Sequence, residues 1–105
     1  MTRGEVWWAD LPPPDRRRPV VLLSRDLAYD IRGFVTIAPV TTRIRGIPAE
    51  VRLGPIDGLP RECVVNLDNI NTIDKGMIQQ FIVGLTEEKI LAVEDAIRFA
   101  LGMEE

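Results

Sequence analysis

Three consecutive arginines stand directly before an apolar run, and of all the residues in the chain they are the best suited to chemistry. Arg16, Arg17 and Arg18 precede Pro19 and the Val-Val-Leu-Leu run of residues 20–23. A guanidinium offers a planar set of donors and stays charged at any working pH, so an arginine cluster favours phosphate binding. The chain has no histidine. Chemistry on a phosphate must therefore proceed here without an imidazole.

Further polar side chains follow two other predicted strands, at the point where each strand ends. They are Thr41, Thr42, Arg43 and Arg45 after one strand, and Asn66, Asp68 and Asn69 after the other. Because strand ends of a small barrel converge on one groove, these residues are candidates for a site that includes Arg18. Each also has a purely structural alternative. The threonines, Asp68 and Asn69 are typical turn formers, and Arg18 can pair with a nearby aspartate.

Several common kinds of site are excluded. Neither GxGxxG nor GxxxxGK[ST] occurs, so no phosphate loop of those types is predicted. Without histidine, Ser-His-Asp and Cys-His catalysis are excluded. The single cysteine, Cys63, forms neither an intrachain disulfide nor an ordinary zinc site, and is expected to be a small buried apolar residue. The carboxylates are scattered, without a close cluster of the kind that holds Mg²⁺. We expect no metal site and no cofactor.

Length and charge point to a small protein with a polyanionic partner. The 105 residues predict one domain, 1–105, with no membrane span and no signal-peptide pattern, so a cytoplasmic location is expected. Residues 1–61 carry 10 basic and 7 acidic side chains, whereas residues 62–105 carry 3 basic and 9 acidic. Eleven of the 13 cations are arginine, a residue preferred where carboxylate or phosphate is held by two parallel hydrogen bonds, so a nucleic acid is one candidate partner. The alternative is a solvated surface that happens to use arginine.

The elements that must position these residues are mostly strands. Apolar and β-branched runs predict strands at residues 5–9, 19–23, 34–40, 49–53, 63–66, 70–73 and 81–84. The continuous run at 19–23 predicts a central strand that is buried on both faces, while Pro39 suggests an edge or a bulge. We expect a mainly β fold: a small, strongly bent antiparallel sheet or barrel.

One amphipathic helix is predicted at the end of the chain. Thr86 is a candidate N-cap, and Glu87 and Glu88 in the first turn suit the helix dipole. Four residues at helical spacing predict one apolar face, and Gly102 is placed to end the helix. These four are Ile90, Val93, Ile97 and Leu101. The helix is expected to pack on the sheet.

Six segments together resemble the MazF/PemK-type toxins, the ribonucleases of bacterial toxin–antitoxin pairs. They are RGEVWWADL (3–11), RPVVL (18–22), IAPVTT (37–42), LP followed by VVNLDNI (59–70), TID (72–74) and VGLT (83–86). They span nearly the whole chain in the family's order. The chain departs from many members at residues 11–17, where a longer loop is replaced by Pro-Pro-Pro-Asp and two arginines.

This resemblance implies an SH3-like barrel, a homodimer and metal-independent cleavage of single-stranded RNA at short sequences. It also implies a cognate antitoxin with an acidic, extended tail. By position, Arg18 matches the family's catalytic arginine, Thr41 its catalytic threonine, and Asp68 an acidic residue that acts as base in some members. In those members an arginine stands where this chain has Asn66. The residues expected to bind RNA are Arg16, Arg17, Ser24, Arg25, Thr42, Arg43, Arg45, Asn66 and Asn69.

The implied reaction is attack of the RNA 2′-hydroxyl on the adjacent phosphorus, which leaves a cyclic phosphate and a 5′-hydroxyl. Arg18 would stabilise the charge on the phosphoryl oxygens, Thr41 would hold the phosphate and Asp68 would take the 2′ proton. The alternative is a non-enzymatic toxin resembling CcdB, which uses the same barrel to bind DNA gyrase. A third reading is an SH3-like domain of unrelated use.

Overall fold

This computed structural model describes residues 1–103, which contain seven strands, two α-helices and three short 3₁₀ helices. The strands are β1 (Glu5–Asp10), β2 (Arg17–Leu22), β3 (Phe34–Thr41), β4 (Glu50–Leu53), β5 (Cys63–Asn66), β6 (Asn71–Asp74) and β7 (Ile78–Gly84). The α-helices are α1 (Ala28–Ile31) and α2 (Glu87–Ala100). The last two residues of the predicted domain, 104 and 105, lie outside the described part.

All strand pairs in the sheet are antiparallel, and the order is β4-β5-β3-β2-β1-β7. Strand β3 is the centre of the arrangement. It pairs with β2 along one side, and on the other side it pairs first with β6 and then with β5. The predicted fold class, a small antiparallel β structure with a C-terminal helix, is confirmed.

The suggestion that Pro39 marks a sheet edge is wrong, because β3 has neighbours on both sides. The last pair with β6 is Ile37–Asn71 and the first pair with β5 is Val40–Val65. Pro39 therefore lies between the two partners, at a point where that side of the strand is unpaired. Since proline has no N–H to donate, it fits this interruption without the loss of a ladder hydrogen bond.

Strand β2 is buried on both faces, as predicted. Val20, Val21 and Leu22 have no exposed surface. Because side chains alternate along a strand, Val21 points into the core beneath α2, while Val20 and Leu22 point into a second core on the other face. Full burial of each such side chain stabilises the fold by about 1.5–3 kcal/mol. The strand that begins with Arg17 and Arg18 is thus held rigidly.

Helix α2 begins where the sequence predicts. The Thr86 hydroxyl accepts a hydrogen bond from the Lys89 N–H at 3.3 Å, and Gly102 takes a left-handed φ of +69° just after the helix. Val93 is buried against the sheet. The prediction for Leu101 is wrong: it is 60% exposed and lies at the C-cap, one residue beyond the end of the helix at Ala100.

Cys63 is buried, as the sequence analysis expects. Burial raises the pKa of the Cys63 thiol, and the adjacent Glu62 carboxylate raises it further, which disfavours the thiolate form. Among residues 1–103, no helix is long and apolar enough to cross a membrane.

Candidate active site

The register of β2 and β3 brings Arg18 beside Thr41. The β2–β3 pairs run from Leu22–Ile37 to Val20–Pro39, so Arg18 and Thr41 lie two residues beyond the last pair, at the same end of the two strands, and both line one cleft. Residues two apart share a face of the sheet. Both side chains therefore lie on the side of the second core, at the end of the sheet where β2 begins and β3 ends.

Strand β5 adds the acidic and amide side chains to the same end. Thr41 pairs with Val64, and β5 then ends at Asn66. The Asn66 Oδ1 accepts a hydrogen bond from the Asp68 N–H at 3.0 Å, which starts a short 3₁₀ turn over Leu67–Asn69. This turn carries Asp68 and Asn69 toward Thr41.

A cleft of about 410 Å³ opens where these strand ends meet, and we call it the Arg18 cleft. Its polar lining is Asp15, Arg18, Thr41, Arg43, Arg45, Asn66, Asp68, Asn69 and Asn71. Its apolar lining is Leu11, Ile37, Pro39 and Ile70. Three guanidinium groups face two carboxylates, so the lining has a net positive charge. A polar wall with a small apolar floor suits a charged chain that also carries flat, partly apolar groups.

The loop after β3 directs Arg43 and Arg45 toward the cleft. The Thr41 hydroxyl accepts a hydrogen bond from the Arg43 N–H at 3.1 Å, which turns the chain. The Glu50 carboxylate accepts from the Arg45 N–H at 3.0 Å and from the Gly46 N–H at 2.9 Å. Neither the Arg43 nor the Arg45 guanidinium forms a salt bridge with any carboxylate of residues 1–103. Both remain available to an anion.

Arg18 is partly exposed and has protein partners on one side only. Its Nε donates to the Asp15 carbonyl oxygen at 3.4 Å, and its Nη2 lies 3.8 Å from Asp15 Oδ1. The structural alternatives for Arg18 and Thr41 are therefore both real: Arg18 pairs with a nearby aspartate and Thr41 forms a turn. These structural roles do not prevent the two side chains from acting in the cleft. The Thr41 hydroxyl, for example, accepts one hydrogen bond and can still donate its own O–H.

Seven of the predicted site residues meet in the Arg18 cleft. They are Arg18, Thr41, Arg43, Arg45, Asn66, Asp68 and Asn69. Asp68 and Asn69 were also predicted as formers of an Asx turn. The side chain that accepts the hydrogen bond in this turn is that of Asn66, which bonds the Asp68 N–H. The other five predicted residues are not brought to the cleft. They are Arg16, Arg17, Ser24, Arg25 and Thr42.

The arginine run is divided by the alternation of β2. Arg17 points to the opposite face from Arg18, where its guanidinium lies 4.4 Å from the ring centroid of Trp8 and donates to Gln80 Oε1 at 3.4 Å. Arg16 lies outside the strand, exposed, in a left-handed conformation with φ of +57°. Consecutive arginines therefore reach three different surroundings.

Ser24 and Arg25 lie at the far end of β2. The Ser24 Oγ accepts a hydrogen bond from the Thr36 N–H at 2.8 Å, near the start of β3. Six residues of extended chain separate Ser24 from Arg18, which is about 20 Å at the rise of a strand. Thr42 lines a different groove, of about 240 Å³, beside Trp8 and Pro19. Thr41 lines this groove as well as the Arg18 cleft.

The sequence prediction left out Asn71 and the apolar floor, and it gave the partner of Arg18 only as a nearby aspartate, which is Asp15. Asp15 stands three residues before Arg18, and this spacing was the available signal for a contact across a short loop. Asn71, the first residue of β6, lines the cleft because it pairs with Ile37 of β3. Its position therefore depends on the long-range pairing of β3 and β6. Among residues 1–103, no group of three or more His, Cys, Asp or Glu side chains is placed to hold a metal ion.

Comparison with known proteins gives consistent matches. The sequence profile of a family described as the PemK-like, MazF-like toxin of type II toxin-antitoxin systems matches residues 2–101. A relative from Mycobacterium tuberculosis named probable endoribonuclease MazF5 is 38% identical over 100 residues, which cover 94% of this chain and 91% of the relative.

Solved structures match over nearly the full length as well. The Mycobacterium tuberculosis toxin MazF-mt6 superposes with a TM-score of 0.88 at 32% identity, covering 96% of this chain and 99% of the other. An endoribonuclease in complex with its cognate antitoxin, from a mycobacterial species, superposes with a TM-score of 0.89 at 28% identity. That match covers 100% of this chain and 98% of the other.

Proposed function

Because the chain belongs to the PemK-like, MazF-like toxin family of type II toxin–antitoxin systems, we propose that it is an endoribonuclease that cuts single-stranded RNA at short sequences. The observation that carries the proposal is the Arg18 cleft. It unites Arg18, Thr41 and Asp68 from three separate parts of the chain. These are the residue types that phosphodiester cleavage by an internal hydroxyl requires: a fixed cation, a hydroxyl donor and a base.

The proposed reaction needs no metal. The 2′-hydroxyl attacks the adjacent phosphorus in line as the bond from phosphorus to the 5′ oxygen breaks. The 5′ oxygen takes a proton from water, so a cyclic phosphate and a 5′-hydroxyl result. Asp68 accepts the 2′ proton, and Thr41 donates a hydrogen bond to a phosphoryl oxygen. Arg18 stabilises the negative charge that develops on the phosphoryl oxygens, a contribution worth about 10²–10³ in kcat for a single donor.

The rest of the cleft provides for binding. Arg43 and Arg45 carry guanidinium groups that form no salt bridge within residues 1–103 and that suit the phosphates on either side of the cut. Asn66 and Asn69 offer amides to base edges, and the partly exposed Ile70 provides an apolar surface for a ribose or a base. Recognition of base edges requires unstacked nucleotides, which favours single-stranded RNA over a duplex.

The family also suggests how the protein is assembled and controlled. We propose a single domain over residues 1–105, a homodimer and a cytoplasmic location. A cognate antitoxin with an acidic, extended tail would compete with RNA for the arginine-rich half of the chain. The complex of a similar endoribonuclease with its cognate antitoxin supports the partner.

The direct test is incubation of the pure protein with total RNA in the presence of EDTA. We expect discrete fragments, and mapping their ends on a long RNA gives the cleavage sequence. Intact RNA would instead favour the gyrase-binding alternative, whereas cleavage only after metal addition would contradict the metal-independent mechanism. An RNA with 2′-deoxyribose at the mapped position should bind but remain uncut. Cleavage of that analogue would exclude attack by the 2′-hydroxyl.

Arg18→Ala tests the catalytic assignment. The variant should fold normally and lose about 10²–10³ in kcat. Arg98→Ala is the matched control, because Arg98 also pairs with an aspartate three residues earlier, Asp95, but on helix α2 and outside the cleft. Its cleavage rate should equal that of the wild type. Full activity in folded Arg18→Ala would remove Arg18 from the mechanism.

A further inference from the structure

The carboxylate of Asp15 lies close to the guanidinium of Arg18, the cation that the proposed reaction uses. Its Oδ1 is 3.8 Å from Arg18 Nη2, and both residues line the Arg18 cleft. We infer that the Asp15 carboxylate is a built-in competitor of the RNA phosphate: it sits on Arg18 in the free protein and is displaced when RNA binds. The inference rests on the proposed function, since it assigns a regulator to the same cleft.

The loop between β1 and β2 holds the carboxylate near Arg18. The Leu11 N–H donates to the Arg16 carbonyl oxygen at 2.9 Å, and the Asp15 N–H donates to the Pro12 carbonyl oxygen at 3.1 Å. Prolines at 12–14 restrict the backbone of the same loop. Little conformational entropy is lost when Asp15 meets Arg18, because the short loop already keeps them together.

The contact is weak enough to be displaced. A charge-assisted hydrogen bond between N⁺–H and O⁻ measures about 2.7–2.9 Å, well below the 3.8 Å seen here. The Asp15 side chain is 57% exposed, and exposed ion pairs contribute little. A phosphate that makes two parallel hydrogen bonds to the guanidinium would therefore replace the carboxylate.

Asp15→Asn removes the charge with little change to the position of Arg18. The Arg18 Nε donates to the backbone oxygen of Asp15, and this oxygen is kept in the variant. A competing carboxylate predicts that its removal strengthens binding. If Asp15 instead acted as a base, acted as an acid or positioned Arg18, its replacement would lower kcat. The sign of the effect separates these roles.

The experiment measures the Kd of a mixed-sequence single-stranded DNA oligonucleotide, which has no 2′-hydroxyl to react. Asp15→Asn should lower this Kd by about two- to five-fold, the range that corresponds to an exposed ion pair. The matched control is Asp10→Asn, which makes the same charge change in the same hairpin outside the cleft lining. Its effect should be much smaller. In an Arg18→Gln background, Asp15→Asn should have no effect.

Cleavage kinetics supply the second measurement. With RNA, kcat/KM of Asp15→Asn should rise by the same factor through KM, with kcat unchanged. A fall in kcat, an unchanged Kd, or an equal effect of Asp10→Asn would each overturn the inference. If the wild type cuts no RNA while Asp15→Asn still binds the oligonucleotide more tightly, the proposed function fails and Asp15 remains a competitor for phosphate on Arg18.

Discussion

Asn66 illustrates how a single side chain can be both structural and functional. It is buried, with 6% of its surface exposed. A buried amide destabilises the fold unless it is hydrogen-bonded, and the Asn66 Oδ1 meets this need through the Asp68 N–H. The oxygen is thereby held in the turn, and the NH₂ group is left as the donor that the amide offers to the cleft.

Tyr29 is a second residue whose burial has a measurable consequence. It is the single tyrosine, it lies in the second core, and its hydroxyl has no hydrogen-bond partner among residues 1–103. Burial, with the Asp26 carboxylate nearby, raises the pKa of Tyr29 to about 12 from its ordinary value of 10. The folded state therefore binds the phenolic proton more tightly than the unfolded state does.

This shift predicts a loss of stability in alkali. The contribution of protonated Tyr29 to the free energy of unfolding is complete below about pH 10, and it is lost as the pH rises through the folded-state pKa. Tyr29→Phe should keep or slightly raise stability at neutral pH, by up to about 1 kcal/mol, because an unpaired buried hydroxyl is removed. It should also unfold less readily above pH 10. Urea unfolding measured across pH checks both stability predictions. Phenolate absorbance follows the ionisation of Tyr29 alone, because it is the single tyrosine. Ionisation at the ordinary tyrosine pKa in the folded wild type would contradict the raised pKa.

At the scale of elements, β2 is the strand on which the cleft depends. It supplies Arg18 at its start, and its later residues are anchored in two cores. Its predicted identity is confirmed, because a continuous apolar run bounded by proline is typical of a buried strand. The division of the arginine run between its faces follows from strand alternation, but only once the start of the strand at Arg17 is known.

A pair of leucine variants tests this anchoring. Leu22→Ala should destabilise the protein by about 2–5 kcal/mol, because it leaves a cavity in the second core. Leu27→Ala is the matched control: Leu27 is 74% exposed, and the change should stay within about 0.5 kcal/mol. Both are read from urea midpoints at a constant m-value. Equal losses for the two variants would mean that β2 is not the rigid support described above.

At the scale of the whole molecule, the excess of arginine in the first 61 residues becomes a surface with distinct parts. Arg18, Arg43 and Arg45 face the cleft, and Arg17 covers Trp8 on the other side. Composition predicts a polyanionic partner but is silent about which cations act together. Their grouping depends on the order of strands in the sheet.

The salt dependence of RNA affinity tests this grouping. Loss of one phosphate contact reduces the slope of log K against log salt by about 0.7 for a single strand. Arg43→Ala should show this reduction, whereas Arg32→Ala, which removes an exposed arginine beyond the end of α1, should not. An equal reduction in both variants would mean that the arginines act only through overall charge.

Much of the fold was determined by the sequence alone, because its causes are local. Alternation and apolar runs predicted the strands, and Thr86 and Gly102 marked the ends of α2. Ordered segments across residues 3–86 indicated the family. Pro39 was misplaced at an edge, since whether a strand has neighbours is not a local property.

Only the tertiary structure decided which side chains share the cleft. Arg18 meets Thr41 through the register of β2 and β3, and Asp68 joins them because β5 pairs with the end of β3. Ser24 was predicted with them, but strand direction carries it to the opposite end of β2. Each of these outcomes depends on pairing between residues twelve or more positions apart. Composition and periodicity act over a few residues, so they identify the strands but leave open which strand ends meet.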